Sequence, residues 1–136
     1  MIYHLLYVSE ETAVFDGDKD LDQILSASRE KNHRSQITGI LIKNGKFFIQ
    51  LLEGSRTEVE RVYKHISKDP RHTKIRTLLD YQDSLRIFPD WAMGFVKGEK
   101  DEPRLAELIP YLHENLMNVP ASKEKVVTIL KRFNDR

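Results

Sequence analysis

Apolar and polar positions follow a different rhythm in each stretch of the chain, and each rhythm predicts an element. Residues 2–9 are rich in Leu, Tyr and Val and read as a first strand, with Tyr3, Leu5 and Tyr7 on one face and Ile2, His4 and Leu6 on the other. Asp16, Gly17 and Asp18 break the chain and supply a helix cap, with acids in the first turn. Leu21, Ile24, Leu25, Ser28 and Asn32 then share one helical stripe that begins apolar and ends polar. Two apolar runs, one from Ile37 and one from Phe47, flank Asn44 and Gly45, a pair that predicts a hairpin with both residues at positive φ.

Ser55 and Glu58 form a capping box for a second helix whose stripe is Val59, Val62, Tyr63 and Ile66, and Asp69 with Pro70 stops it. A strand from Thr73 to Leu79 or slightly beyond follows, and a final strand carries Trp91, Met93 and Phe95 on one face. The order β-α-β-β-α-β-β is that of an α+β domain, and its first six elements match the ferredoxin-like plan, with two helices on one face of the sheet. In that plan the first and third strands are central neighbours, so Tyr7 and Gln50 sit side by side. Beyond Gly98 the pattern is helical: Pro103 opens a stripe of Leu105, Leu108, Ile109 and Leu112, kinked at Pro110. A connector capped by Ser122 leads to Val126, Ile129, Leu130 and Phe133 on a last amphipathic helix. Such helices need a surface to cover, either the sheet or a partner chain. The expected division is a domain over residues 1–97 and a C-terminal helical extension over residues 98–136.

Composition narrows the chemistry. Lys and Arg number 22 against 21 Asp and Glu, a net charge of +1, so no global field recruits nucleic acid or a membrane surface. The absence of cysteine removes disulfides, Cys-ligated zinc and thiol catalysis. No leader pattern or long apolar span is visible, and a soluble cytoplasmic domain is expected. His4, His33, His65, His72 and His113 never recur at metal-ligand spacing, and no metal is expected. Neither a glycine-rich phosphate loop nor a serine on a strand-to-helix elbow is present, so the chain does not read as an enzyme.

Gln50 is the one polar residue in the run from Phe47 to Leu52. Burying an amide unpaired costs about 1–3 kcal/mol, so it must bond a neighbour or a ligand, and its own residue type leaves both open. With Tyr7 on the first strand and Ser28 and Asn32 at the helix end, it makes a set of one phenol, two amides and one hydroxyl between apolar helices. That set suits a flat heterocycle with a donor–acceptor edge better than it suits hydrolysis.

Several pieces together resemble the BLUF family, sensors of blue light using flavin. They are Tyr7, Val8 and Ser9; Ser28, Arg29 and Asn32; Ile37, Thr38 and Gly39; Phe47, Phe48, Gln50, Leu52, Glu53 and Gly54; Asp69 to His72; and Phe88 to Met93. The resemblance covers residues 1 to about 97, and the set is specific although no single piece is. It implies a non-covalently bound flavin, FAD with FMN as alternative, lying between the two helices. Asn32 and Gln50 match the residues that bond the ring edge, Ile24, Phe48 and Ile66 those lining the ring, and Asp69 and Arg71 those near the ribityl–phosphate end. Tyr7 matches the photochemical tyrosine, which gives an electron and a proton to excited flavin. Their return leaves the glutamine rearranged or tautomerised and the flavin spectrum shifted to the red. Trp91 and Met93 are the expected relay from Gln50 to the C-terminal helices. Relatives oligomerise and signal to a separate protein, and both are expectations here. The runner-up is a light-independent, ferredoxin-like module that binds a small metabolite, and a third reading is a single-stranded RNA binder on the sheet face.

Overall fold

The computed structural model describes residues 1–98 and 123–133. Its elements are β1 (Ile2–Glu11), α1 (Gly17–Ser35), β2 (Thr38–Asn44), β3 (Phe47–Gly54), α2 (Arg56–Ser67), β4 (His72–Asp83), β5 (Gly94–Gly98) and α3 (Lys123–Lys131). One five-stranded sheet runs in the order β4-β1-β3-β2-β5, antiparallel except for the parallel β2–β5 pair. Four strands thus follow the ferredoxin-like plan, and β5 extends it at the β2 edge.

Strict alternation along β1 and β3 gives the sheet two apolar faces. Tyr3, Leu5 and Tyr7 join Phe48 and Leu52 beneath Leu21 and Leu25 of α1 and Val59 of α2. On the other face Leu6, Val8, Ile49 and Leu51 pack with Val126, Ile129, Leu130 and Phe133, so α3 and the turn after it cover the sheet. The exposed sheet face that RNA recognition needs is therefore occupied by these side chains. The expected helix with Leu105, Leu108, Ile109 and Leu112, and its Ser122-capped connector, lie outside the described residues.

Two local expectations change. The hairpin loop is Gly45 and Lys46, since Asn44 pairs with Phe47, and only Gly45 has positive φ, at 55°. That is the sign pattern of a II′ turn rather than I′. Asp16 occupies the cap position of α1, but its side chain caps nothing; its N–H donates to Asp20 Oδ2 at 2.6 Å. Ser55 does cap α2, accepting from Glu58 N at 3.3 Å.

The largest change concerns Trp91 and Met93. They precede β5, which begins at Gly94, and they lie on opposite sides of the sheet: Met93 with the α1–α2 core, Trp91 with the α3 core. Period-two spacing does not hold across a segment whose backbone turns. Trp91 N donates back to Phe88 O at 3.3 Å, and the indole stacks on Phe88 with ring centroids 5.1 Å apart. The indole also lies so close to Gly94 that any side chain there would collide with it.

Candidate functional site

Antiparallel pairing sets Tyr7 directly opposite Gln50 on the central strands. The Tyr7 hydroxyl donates to Gln50 Oε1, and Gln50 Nε2 donates to the Met93 sulfur at 3.4 Å. The amide therefore has its oxygen toward the phenol and its nitrogen toward the thioether. Both side chains are buried, at 3% and 4% exposure, so these partners replace water rather than supplement it. Burial pushes the Tyr7 phenol's pKa up, with Tyr63 and Asp69 adding to the effect, so the group stays neutral and keeps its proton to donate.

Above this pair lies a cavity of about 60 Å³ between α1 and α2. Ile24 and Ser28 of α1, Ile66 of α2, Phe48 and Leu41 of the floor, and Asp69, Arg71 and His72 at one end line it together with Tyr7 and Gln50. Eight of the residues expected at the site are thus brought together. Asn32 stands beside them with a different partner: its Nδ2 donates to Ala92 O at 2.8 Å. No donor among the described residues reaches its Oδ1. Met93 is reached through Gln50, whereas Trp91 is held on the far side of the sheet.

The polar end is organised by charge. The Asp69 carboxylate accepts from Arg71 N at 2.9 Å, Nε at 2.9 Å and Nη2 at 2.5 Å, and Arg71 Nη1 lies 3.8 Å from Asp20 of α1. The bonds from Arg71, ahead of the opposing effect of burial, hold the Asp69 carboxyl below the usual carboxylate range. The guanidinium is partly exposed and keeps a face for an anion.

His72 and Arg29 carry roles that their sequence setting did not announce. His72 Nε2 donates to Ile66 O at 2.5 Å, so its Nδ1 accepts from the Ser9 hydroxyl at 2.7 Å. Its ring packs steeply inclined to those of Tyr7 and Phe48, with centroids 6.3 and 6.2 Å away. Arg29 Nε donates to Met93 O at 3.0 Å and fixes the residue that accepts from Gln50. Both were visible only as members of motifs, His72 in Asp69–His72 and Arg29 beside Ser28 and Asn32, and neither motif assigned them these partners.

The donor set tests well against a flavin. Two isoleucines on facing helices suit an aromatic ring, and Gln50 and Asn32 offer amide edges to a donor–acceptor heterocycle. Arg71 suits a phosphate. The cavity is well below the roughly 300 Å³ typical of ligand pockets, so a ring system requires the Ile24 and Ile66 walls to part.

A ferredoxin-like sheet flooring a two-helix cleft, with a buried phenol–amide pair at its centre, makes this an α+β domain with a candidate cofactor site between its helices. Residues 2–94 match the family model described as BLUF, sensors of blue-light using FAD, and the chain belongs to that family of flavin-binding blue-light sensors. It is 42% identical over 70 residues to the blue light- and temperature-regulated antirepressor BluF of Escherichia coli, a match covering 51% of this chain and 17% of that protein. It is 32% identical over 90 residues to the photoactivated adenylate cyclase subunit beta of Euglena gracilis, covering 65% of this chain and 10% of that protein. The chain thus aligns with under a fifth of either relative's length. Among solved structures, BlrB, a BLUF protein in its dark state, superposes with a TM-score of 0.78 at 32% identity, covering 97% of this chain and 96% of that one. No helix among the described residues is long and apolar enough to cross a membrane.

Proposed function

We propose that this chain binds FAD between α1 and α2 and reports blue light through the hydrogen bonds of Gln50, passing the signal by contact to an effector protein. The observation that carries the reading is the unbroken run Tyr7–Gln50–Met93 on the floor of the cleft. When bound, the flavin supplies the blue absorption and, once excited, oxidising power. Tyr7 is the donor, giving up an electron and its phenolic proton, and its hydroxyl is already aimed at Gln50 Oε1. Gln50 carries an acceptor end and a donor end, so reversing or tautomerising the amide exchanges what Tyr7 and Met93 meet. Asn32, oriented by Ala92 O, keeps its carbonyl oxygen for the ring edge.

Ile24, Phe48 and Ile66 would line the ring, Ser28 would add a hydroxyl at its polar margin, and Asp69 with Arg71 would hold the ribityl–phosphate end. Residues 1–97 form the sensor in this reading, and residues 98–136 supply the output surface. The chain acts as a sensor rather than a catalyst. Antirepression and cyclase activity belong to the relatives so named, and only contact-based signalling is carried over.

The test is the absorption spectrum of purified protein before and after blue illumination. The expected result is a bound oxidised flavin and a small red shift that decays in the dark. The mass of the released cofactor separates FAD from FMN. A colourless protein that also refuses added FAD overturns the reading and favours the light-independent binding module.

A further inference from the structure

Glu53 is a charged residue on β3 with no solvent exposure, on the face opposite Gln50. A carboxylate placed there costs several kcal/mol unless it is bonded. Its bonds go to the β4–β5 connection. Oε1 and Oε2 accept from Ile87 N at 2.9 and 2.8 Å, and Oε1 accepts from Phe88 N at 2.8 Å. Arg86 Nη1 donates to the Glu53 main-chain oxygen at 3.0 Å and to Thr38 Oγ1 at 2.9 Å. One residue therefore grips three consecutive positions of the connection.

From that grip the connection runs straight to the photochemical floor. Phe88 O accepts from Trp91 N at 3.3 Å, and Trp91 O accepts from Gly39 N at 3.0 Å. Ala92 O takes the Asn32 amide at 2.8 Å, and the Met93 sulfur takes the Gln50 amide at 3.4 Å. Glu53 and Gln50 lie on the same strand, so the connection is pinned to β3 at both ends, once on each face. Any shift at residues 87 and 88 must be absorbed within the next five residues, of which Trp91, Ala92 and Met93 are themselves hydrogen-bonded.

The surroundings of the carboxylate are also defined. His4 Nε2 of β1 lies 3.7 Å from Glu53 Oε2, while His4 Nδ1 donates to Ile2 O at 3.1 Å. The His4 ring stacks on Tyr81 of β4 at 4.4 Å, and Arg86 approaches from the connection. Burial raises the Glu53 pKa against the pull of its two backbone donors and Arg86, and burial lowers that of His4.

We infer that Glu53 is a positioning residue for the light reaction: by anchoring Ile87 and Phe88 it sets where the Met93 sulfur meets Gln50. The inference rests on the reading of Tyr7 and Gln50 given above.

The test uses the full chain with Glu53→Gln, which keeps the shape and one oxygen but turns an NH₂ toward a backbone N–H. The control is Leu51→Ala, buried on the same face of β3 in the apolar core that includes Ile87 and Phe88, with a side chain that makes no hydrogen bond to the connection. Both variants should lose thermal stability and retain flavin. Only Glu53→Gln should alter dark recovery, by threefold or more, and change the size of the red shift. Glu53→Gln recovering within twofold of the unmutated chain, with the same shift, overturns the inference. Should Glu53→Gln fail to fold, the unmutated chain still decides: the amide resonances of Ile87 and Phe88 should move on illumination, and static resonances beneath a complete red shift overturn it. An unmutated chain without flavin or red shift overturns the underlying reading instead, and this inference with it.

Discussion

Tyr7 and Gln50 face each other across the β1–β3 pairing, and the phenol donates to the amide oxygen, which fixes the amide nitrogen on Met93. Removing the phenolic oxygen separates photochemistry from binding. Tyr7→Phe keeps the ring that packs against Tyr63 with centroids 5.5 Å apart, so flavin should be retained. It leaves Gln50 Oε1 without its donor, which should destabilise the fold by about 1–3 kcal/mol. Illumination should give no red-shifted state. A normal lit spectrum in this variant would mean that Tyr7 is not the donor.

Met93→Leu probes the other end of the amide. The swap conserves volume and should cost less than about 1.5 kcal/mol in stability. It deprives Gln50 Nε2 of its sulfur acceptor in the dark state while leaving the Tyr7 bond intact. Flavin content should match the unmutated chain, and the dark-recovery rate should change. Identical recovery traces would show that Met93 only fills space.

Asn32 has two tasks, and Asn32→Ala removes both. The variant loses the bond to Ala92 O and leaves a polar flavin edge unpaired, so FAD affinity should fall by about 1–3 kcal/mol, roughly five- to 150-fold. Titration of apoprotein with FAD measures it. Unchanged affinity would assign Asn32 to the connection alone.

Asp69 supplies a pH dependence with a definite sign. Its folded pKa is depressed, chiefly by the bonds from Arg71. A depressed carboxyl contributes stability above its unfolded pKa, near about 3.9, and that contribution is lost as pH falls through the folded value. Below about pH 4 the unmutated chain should therefore lose stability more steeply than Asp69→Asn. Circular dichroism across the acid range measures both; superimposable profiles would remove Asp69 from the account.

What could be read from the chain was whatever one strand or one helix decides alone. The hairpin signal at Asn44 and Gly45 and the alternation in β1 are local, and placing Tyr7 beside Gln50 took one further step, the element order that implies a ferredoxin-like sheet with the first and third strands adjacent. The capping serine of α2 was equally local. Trp91 was misplaced because its position depends on Phe88 for a stacking partner and on Gly94 for room, neither of which follows from spacing. Glu53 stands out in the sequence only as part of the Phe47–Gly54 motif. The signal that it mattered was present, because it continues the Ile49–Leu51 face with a charge, and a charge in an inward position demands a partner. The partner itself, a pair of backbone N–H groups some 34 residues away, is a tertiary fact.

The same geometry says where a signal can leave. Gln50 touches Met93 on the α1–α2 face, and two residues earlier Trp91 packs into the α3 face with Val96 and the Val126–Phe133 cluster. The connection therefore crosses the sheet edge and joins both cores, so a change of partner at Met93 can be felt beneath α3. Coupling needs two arrangements with different contacts, not proximity alone. Hydrogen exchange on residues 84–98 and 123–133, in the dark and under steady blue light, tests it. Protection should differ at Trp91 to Val96 and in α3, and Gln50→Leu, which has no amide to rearrange, should abolish the difference. Equal protection in both conditions beneath a complete flavin shift would send the signal out by another surface, with the Gly45 hairpin end of β2 and β3 the next to examine.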